Sequence, residues 1–363
     1  MTTNAENLAK FLAARFLEDG CYDGLGVALQ RRSSGGAPSA AATSALNEYF
    51  ELEQGFAGLA VQSVGYTPGL NKEGVIIYVS KGSAKALKAL PNELDGVPVT
   101  AHVMGKLKAG PIAAMSTMGH SHFFERNGRI ACGGSCAPSR EQYAGTLGAF
   151  LTDGSRHYAL SNNHVFAACN HTPPAMPILA PAAVDAMPHR RAPSQVCLFQ
   201  NMVELRSGAP DLVPPMDIDA AYAVVPDANQ ISSWQGDEIN GFDTPGVVAA
   251  PQAGMRVKKY GRTTGLTTGT IEACVPTPWL LPYEAPKFQA EVWFRDTWTI
   301  LADDGSPFAL AGDSGSLVVT EDGTAAVGLI FAVNRGGGYA IFCELTRVLA
   351  AFGDFQLLSN HGV

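Results

Sequence analysis

Short β-type runs dominate the chain after about residue 140, and no long helical segment separates them. The runs stand between Gly- and Pro-containing turns at GTLGAFL (145–151), YALSNN (158–163), AAYAVV (220–225), GTIEACV (269–275), EVWFRDTWTIL (291–301), SLVVT (316–320) and AVGLIFAV (326–333). Many short strands without intervening helices indicate an all-β barrel or sandwich. A final helical pattern, CELTRVLAAFGDF, closes the chain.

The first hundred residues have a different pattern, in which helical and strand-like segments alternate. An amphipathic helix is predicted from Asn4 to Leu17, with Gly20 as its stop. The segments that follow are a Ser-, Gly- and Pro-rich link (30–41), a helical pattern (45–56), strands (59–64 and 74–80), a helix (83–90) and a strand-like run (95–105). We therefore divide the chain into an N-terminal helical and small α/β extension (1–110), a Gly-rich linker (111–140) and a β-barrel domain with a C-terminal helix (141–363).

Composition and charge argue against several classes of protein. Of the 363 residues, 46% are hydrophobic and 16% charged, so the chain can bury a large core. The net charge is −8 and no basic cluster stands out, which argues against a nucleic-acid partner. No run of 18 apolar residues predicts a membrane helix, and Glu6 stands where a secretory signal is basic. Seven cysteines suit a reducing compartment with mostly free thiols, so we expect a cytoplasmic protein.

Three segments supply the groups that nucleophilic acyl transfer requires. ALAGDSGSLVV places Ser314 between Gly312 and Gly315, where the chain can turn sharply and direct the amides of Gly312 and Ser314 into one oxyanion hole. HYALSNNHVFAA puts His164 at the end of an apolar strand, and MDIDAAYAVV puts Asp219 before another. A base, a carboxylate and a hydroxyl in this chain order are the components of a catalytic triad.

These motifs resemble those of the chymotrypsin-fold (trypsin-like) serine proteases. GDSGS matches the nucleophile motif, LSNNHV is similar to the histidine motif, and DAAYAV is similar to the aspartate that precedes an apolar strand. KKYGRTTGLTTGTI (258–271) resembles the strand and turn between the Asp and Ser motifs of bacterial streptogrisin and α-lytic proteases. Together with GVIIYVS and LPNELDGVPV, the set is most similar to the intracellular narrow-leaf-type trypsin-like proteins of plants and bacteria.

The resemblance covers roughly residues 60–350 and implies a mainly β, two-barrel chymotrypsin-like fold that carries an N-terminal α/β extension. It implies that Ser314 is the nucleophile, His164 the general base and Asp219 the residue that orients the imidazole. Asp217 competes for the acid role, although the family pattern of Asp, two small residues and a strand favours Asp219. The narrow-leaf resemblance also implies a homo-oligomer.

The resemblance further implies where a substrate side chain would bind. In this fold the base of the pocket lies six residues before the nucleophile, at Phe308, and one wall is a strand near Phe331 and Val333. None of these positions offers a carboxylate, so selection of Arg or Lys is disfavoured and a small or apolar P1 residue is expected. No conventional activation site precedes the first barrel, so the resemblance does not indicate a new N-terminus that binds Asp313.

A second site is conceivable in HSHFFERNGRIACGGSC, which offers His120, His122, Cys132 and Cys136 as zinc ligands. Their spacing, H-x-H followed by C-x3-C, does not match common zinc motifs closely, and two nearby cysteines are often simply free thiols. We therefore predict no metal and no cofactor, with zinc content left as the test of the alternative.

The resulting hypothesis is a regulated intracellular serine endopeptidase that acts on a protein or peptide substrate through an acyl-enzyme. Two alternatives remain open. One is a noncatalytic pseudoprotease that uses the cleft to hold a peptide segment. The other is an esterase-like hydrolase, since the same groups can cleave small acyl esters.

Overall fold

The N-terminal unit packs one helix on a small mixed sheet. The protein is described by a computed structural model over residues 4–18, 39–51, 59–68, 73–109, 121–210, 212–285, 288–303 and 305–363. The unit comprises α1 (Asn4–Glu18), α2 (Ala40–Glu51), β1 (Leu59–Tyr66), β2 (Val75–Gly82), α3 (Ala84–Ala89), β3 (Glu93–Leu94) and β4 (Val97–Val103). β2 pairs antiparallel with β1 and parallel with β4. The apolar side chains of Leu8, Leu12 and Phe16 are buried on the face of α1 that contacts this sheet.

The second helix begins earlier than the sequence pattern predicts. It starts at Ala40, inside the predicted link, and ends at Glu51. Ser39 explains the start, because its hydroxyl accepts a hydrogen bond from the amide of Ala42 at 3.1 Å and so acts as the N-terminal cap. The amide of Ser39 in turn donates to Asp95 at 2.8 Å.

The first barrel is built from an eight-stranded and a four-stranded sheet. Its elements are β6 (Glu125–Arg126), β7 (Arg129–Cys132), β8 (Ser135–Pro138), β9 (Gly145–Thr146), β10 (Ala149–Thr152), β11 (His157–Ser161), α4 (Asn163–Phe166), β12 (Pro177–Ala180), α5 (Ala186–His189), β13 (Ser194–Met202), β14 (Ala221–Val224), β15 (Ile231–Gln235), β16 (Phe242–Asp243) and, from the end of the chain, β25 (Gln356–Leu357). The strand orders are β25-β10-β11-β14-β13-β12-β8-β9 and β16-β15-β7-β6.

Six strands of the second barrel close on themselves. The elements are β17 (Arg256–Gly261), β18 (Gly265–Val275), β19 (Trp279–Ala285), β20 (Phe288–Phe294), β21 (Thr297–Ala302), β22 (Leu317–Thr320), β23 (Ala326–Asn334), β24 (Tyr339–Glu344) and α6 (Leu345–Phe352). Pairing runs from β17 through β18, β21, β24, β23 and β22 back to β17, and every one of these pairs is antiparallel. The predicted mainly β, two-barrel chymotrypsin-like fold with an N-terminal α/β extension is thereby confirmed.

Two features of the β region differ from the sequence analysis. The segment predicted as a Gly-rich linker already contributes β6, β7 and β8 to the first barrel from Glu125 onwards. Its glycines serve close packing, because a Cβ on Gly133 would lie 2.5 Å from the Cβ of Tyr260. The run EVWFRDTWTIL is split between β20 and β21 at Asp296, which has a positive φ of 53°.

A short strand joins the N-terminal unit to the second barrel. β5 (Leu107–Ala109) pairs antiparallel with β23 and parallel with β19. The same 13-stranded sheet continues through β18 into β1, by way of the Tyr66–Cys274 pair. The N-terminal unit is therefore part of the hydrogen-bonded framework of the second barrel, while the exact domain boundaries stay a prediction.

Candidate active site

A buried imidazole and a buried carboxylate meet where two paired strands of the first barrel end. β11 and β14 pair so that Ser161 lies opposite Ala221, which brings the residues beyond each strand together. Nδ1 of His164, on α4, lies 2.6 Å from Oδ2 of Asp219, and both side chains are fully buried. The other carboxylate oxygen accepts the amide of Asn163 at 2.7 Å. These contacts hold Asp219 as an acceptor against one nitrogen of the imidazole.

Tyr283 completes the surroundings of the carboxylate. Its hydroxyl donates to Oδ2 of Asp219 at 2.8 Å, and its ring lies edge-on to the imidazole of His164 with centroids 5.7 Å apart. Burial, and then the charge of Asp219, raises the pKa of Tyr283 well above its usual value near 10, so the phenol stays a neutral donor. No sequence motif points to Tyr283, because the prolines around β19 interrupt the pattern of a strand.

The loop that carries Ser314 is hydrogen-bonded to the first barrel and approaches the end of β11, the strand that precedes His164. Gly312 and Gly315 have φ values of +100° and +95°, which L side chains rarely adopt. A Cβ on Gly315 would lie 2.3 Å from the hydroxyl of Ser161, so the loop approaches β11 closely. Thr146 donates its amide to the carbonyl of Ser314 at 2.8 Å and its hydroxyl to the carbonyl of Gly312 at 2.9 Å. Ser314 itself is partly exposed.

The carboxylate beside the serine, Asp313, is fully buried and is bound from several directions. It accepts the amide of Thr263 at 2.7 Å, the hydroxyl of Thr264 at 2.8 Å and the amide of Leu310 at 2.8 Å. Nζ of Lys259, also fully buried, lies 3.5 Å from Oδ2. Burial lowers the pKa of Lys259, and the neighbouring Asp313 carboxylate opposes that shift. The loop is thus held by an ion pair internal to the second barrel.

The turn between β17 and β18 also ties the two barrels together. Arg262 donates a bidentate pair of hydrogen bonds to Asp185 of the first barrel, from Nε to Oδ2 at 2.7 Å and from Nη2 to Oδ1 at 2.5 Å. Ser135 donates to the same carboxylate at 2.6 Å. Burial alone would raise the pKa of Asp185, but the hydrogen bonds from Arg262 and Ser135 outweigh it and the pKa is lowered.

The other residues singled out from the sequence lie in different places. Asp217 is half-exposed and pairs with Arg347 at 3.1 Å, whereas Asp219 contacts His164. Phe308 and Val333 are buried in one apolar cluster. Phe331 is buried in another cluster, with its ring 4.7 Å from that of Phe294.

The potential zinc ligands are not brought together within the described part of the chain. His120 lies outside the described residues, and the ring of His122 stacks on Phe124 at 5.6 Å. Cys132 and Cys136 are fully buried, and burial raises the pKa of both thiols. Over the described ranges, no group of three or more His, Cys, Asp or Glu is arranged to hold a metal ion.

Two further observations bear on the cysteines and on membranes. Six cysteines within the described ranges are free of disulfide bonds, namely Cys132, Cys136, Cys169, Cys197, Cys274 and Cys343. No helix among the described residues is long and apolar enough to cross a lipid bilayer.

Several solved structures of serine proteases are similar to this chain. A glutamic-acid-specific serine protease that uses a histidine triad in substrate binding is 18% identical, with a TM-score of 0.43 over 63% of this chain and 100% of that one. Thermobifida fusca protease A is 16% identical, with a TM-score of 0.42 over 64% of this chain and 100% of that one. An α-lytic protease homologue, N4, is 20% identical, with a TM-score of 0.40 over 62% of this chain and 99% of that one.

Sequence comparisons add no closer relative. Neither a protein-family model nor a curated protein sequence matches the chain.

Proposed function

We propose that the protein is a serine endopeptidase in which Ser314, His164 and Asp219 act as a catalytic triad. The observation that carries the proposal is the 2.6 Å contact between Nδ1 of His164 and the buried carboxylate of Asp219. Two further observations support it: Gly312 has a positive φ, and the Ser314 loop is hydrogen-bonded to Thr146 of β9. A hydrogen-bonded Asp and His, together with a glycine-flanked serine on a loop that bonds to the same barrel, supply the groups that acyl transfer requires.

The proposed mechanism follows from these groups. Because Asp219 accepts a hydrogen bond from Nδ1–H, the lone pair of His164 lies on Nε2 and can take the proton of the Ser314 hydroxyl. The serine oxygen bonds to the peptide carbonyl carbon, and the amides of Gly312 and Ser314 stabilise the resulting oxyanion. Collapse breaks the C–N bond, and His164 returns the proton to the leaving amine. A water molecule, deprotonated by His164, then hydrolyses the acyl-enzyme.

The finer assignments belong to the same proposal. We infer a small or apolar P1 residue, since Phe308, Phe331 and Val333 carry no charge. We also propose an intracellular, narrow-leaf-type enzyme that forms a homo-oligomer. Light scattering of the purified protein tests the oligomer, because a mass equal to that of one 38.1 kDa chain would contradict it.

Fluorophosphonate labelling with an intact-mass readout tests the triad, since only an activated serine reacts quickly. We expect a single adduct on the wild-type protein and none on Ser314→Ala or His164→Ala. An adduct that survives in Ser314→Ala would contradict the assignment of the nucleophile. Casein hydrolysis then separates an endopeptidase from an esterase, which would turn over p-nitrophenyl acetate but not casein.

A noncatalytic peptide-binding protein is the second candidate. It is favoured by the complete burial of His164, whose Nε2 has no hydrogen-bond partner among the described residues. Absence of any adduct, under every condition in which the protein is folded, would support this candidate against the protease.

A further inference from the structure

β5 is paired between two strands of the 13-stranded sheet, β23 and β19, and β19 carries Tyr283 of the candidate active site. On one side it pairs antiparallel with β23, with Leu107 opposite Asn334 and Ala109 opposite Ala332. On the other side it runs parallel to β19, where Ala109 lies opposite Tyr283. Tyr283 donates to Asp219 of the proposed triad, so the neighbour of β5 in the sheet contacts the triad directly.

The hydrogen-bond pattern shows which backbone groups of β23 are occupied. The amide of Arg335 donates to the carbonyl of Lys106 at 3.1 Å, which makes these two residues a hydrogen-bonded pair. Hydrogen-bonded and non-hydrogen-bonded pairs alternate in an antiparallel ladder, so Val333 and Lys108 form the next hydrogen-bonded pair. The chain's own segment therefore engages the backbone of the strand that contains Val333, one of the predicted substrate-binding residues.

Burial is consistent with an occupied edge of β23. Ala109 and Val333 are 9% and 8% exposed, and Phe331, Tyr283 and His164 are fully buried. β5 has a buried–exposed–buried pattern, in which Lys108 faces outward and its two neighbours face inward. On its β23 side, this three-residue strand is paired as an extended peptide is when it adds to a strand of a sheet.

The proposed function places an extended substrate peptide along β23, and we propose that Leu107–Ala109 occupies the Ala332–Asn334 edge of this strand as an intramolecular peptide. This inference rests on the proposed function. A peptide substrate enters only when β5 leaves, and it presents a small inward side chain where Ala109 lies and an outward side chain where Lys108 lies. The site is therefore restrained by its own N-terminal extension.

The closed six-stranded barrel does not depend on pairing with β5. β23 is also paired with β22 and, over Gly328–Val333, with β24, so it remains in the closed barrel without β5. Outside the ladder, the side-chain amide of Asn334 holds the carbonyl of Met104 at 2.8 Å. Opening of β5 also breaks the Ala109–Tyr283 pairing with β19 and the packing of Leu107 and Ala109 in the main apolar cluster, so it is a local unfolding step that leaves the closed barrel paired.

A reversible crosslink between β5 and β23 tests the proposal. Ala109 and Ala332 form a non-hydrogen-bonded pair, whose Cα atoms in an antiparallel ladder are about 4.5 Å apart, within the range of a disulfide. We expect oxidised Ala109→Cys/Ala332→Cys protein to hydrolyse labelled casein about tenfold more slowly than the same protein after reduction. Wild-type protein treated with the same oxidant and reductant is the control.

A second pair of variants weakens β5 instead of locking it. Lys108→Pro removes the donor of the central hydrogen-bonded pair, whereas Lys108→Ala keeps the donor and removes only the outward side chain. We expect about a tenfold gain in casein hydrolysis for Lys108→Pro, the factor expected from one lost hydrogen bond, and little change for Lys108→Ala. Circular dichroism verifies that both variants are folded, and the crosslink experiment decides the question if Lys108→Pro is not.

Diisopropyl fluorophosphate, applied to each form, separates the two levels of the proposal. Two results support the intramolecular occupant. Either Ser314 is labelled in both the locked and the reduced protein while casein hydrolysis is about tenfold faster in the reduced form, or Ser314 is labelled in the reduced form alone. If Ser314 is labelled but both forms hydrolyse casein at the same rate, or no variant hydrolyses casein, the intramolecular occupant is overturned and the nucleophile remains. No labelling in any form overturns the proposed function itself, and this inference with it.

Discussion

At the scale of single residues, both carboxylate oxygens of Asp219 accept two hydrogen bonds each. Oδ1 accepts the amides of Asn163 and His164, and Oδ2 accepts Nδ1 of His164 and the hydroxyl of Tyr283. A buried carboxylate costs several kcal/mol unless donors of this kind compensate its lost hydration. The side chain therefore has one orientation, and the imidazole beside it has one tautomer.

Replacement of Asp219 and of Asp217 should have very different effects. Asp219→Asn presents an amide to His164 and favours the wrong tautomer, so we expect the fluorophosphonate labelling rate to fall by about 10³- to 10⁴-fold. Asp217→Asn is the matched control, because a half-exposed ion pair with Arg347 contributes little, and we expect a rate within about twofold of wild type. Equal losses would reverse the assignment of the acid.

Tyr283→Phe tests the role of the phenol as a positioning group. The change removes one donor to a buried carboxylate, and a hydrogen bond to a charged group contributes about 1.5–3 kcal/mol. We expect labelling of Ser314 to slow by at least about tenfold while the protein remains folded. Tyr222→Phe is the control, since Tyr222 makes ring contacts with Tyr158, Phe352 and Phe355. A similar loss in both variants would indicate a general packing effect.

At the scale of elements, the β17–β18 hairpin holds the serine loop through Lys259. The ion pair with Asp313 joins β17 to a loop that is otherwise fixed by neutral donors. A lysine and an aspartate that are both fully buried stabilise the fold only as a pair. The loop that carries the proposed oxyanion-hole amides thus depends on a cation supplied from within the barrel.

Lys259→Met should be more damaging than the double variant Lys259→Met/Asp313→Asn. The single change leaves an uncompensated buried carboxylate, and we expect it to lower the free energy of unfolding by about 3–5 kcal/mol. The double change removes both charges and should recover most of that loss. Urea unfolding of the three proteins measures the difference, and an equally unstable double variant would show that the side-chain volume, not the charge, is what matters.

The elements themselves were largely predictable from the sequence, with informative exceptions. Helix α1, strand β2 and helix α6 follow local hydrophobic periodicity, and they lie where the pattern predicts. Strand β19 was missed because Pro282 breaks the strand pattern, although the structure accommodates it opposite Glu291 of β20. The strands β6–β8 were missed because glycines needed for close packing resemble those of a linker.

At the scale of the whole molecule, polar contacts dock the N-terminal unit on the second barrel. Nδ1 of His102, on β4, lies 2.9 Å from Oε1 of Glu272 and 3.2 Å from the hydroxyl of Tyr339. Tyr78 donates to the other oxygen of Glu272 at 2.7 Å. The hydrogen bond to Glu272 raises the pKa of His102, although burial opposes the shift.

This docking predicts a pH-dependent stability. A raised pKa in the folded state means that the stabilising effect of His102 is fully present below the ordinary histidine pKa of about 6.5 and is lost as the pH rises through the folded-state value. We expect the difference in Tm between wild type and His102→Gln to be largest near pH 5.5 to 6 and to shrink at alkaline pH. A difference that grows with pH would contradict a charged His102–Glu272 pair. The burial of Tyr78 raises its pKa well above 10, so it does not titrate in this range.

Local periodicity and the φ angles that glycine permits are enough to predict the short-strand architecture and the turn around Ser314, and the chain order of His164, Asp219 and Ser314 can be read directly. Long-range packing alone brings Tyr283, 64 residues from Asp219 in the chain, within donating distance of it, and places β5 against β23. Such contacts arise from strand register and barrel closure. Many residues must be packed before two distant side chains meet, and no local pattern records the result.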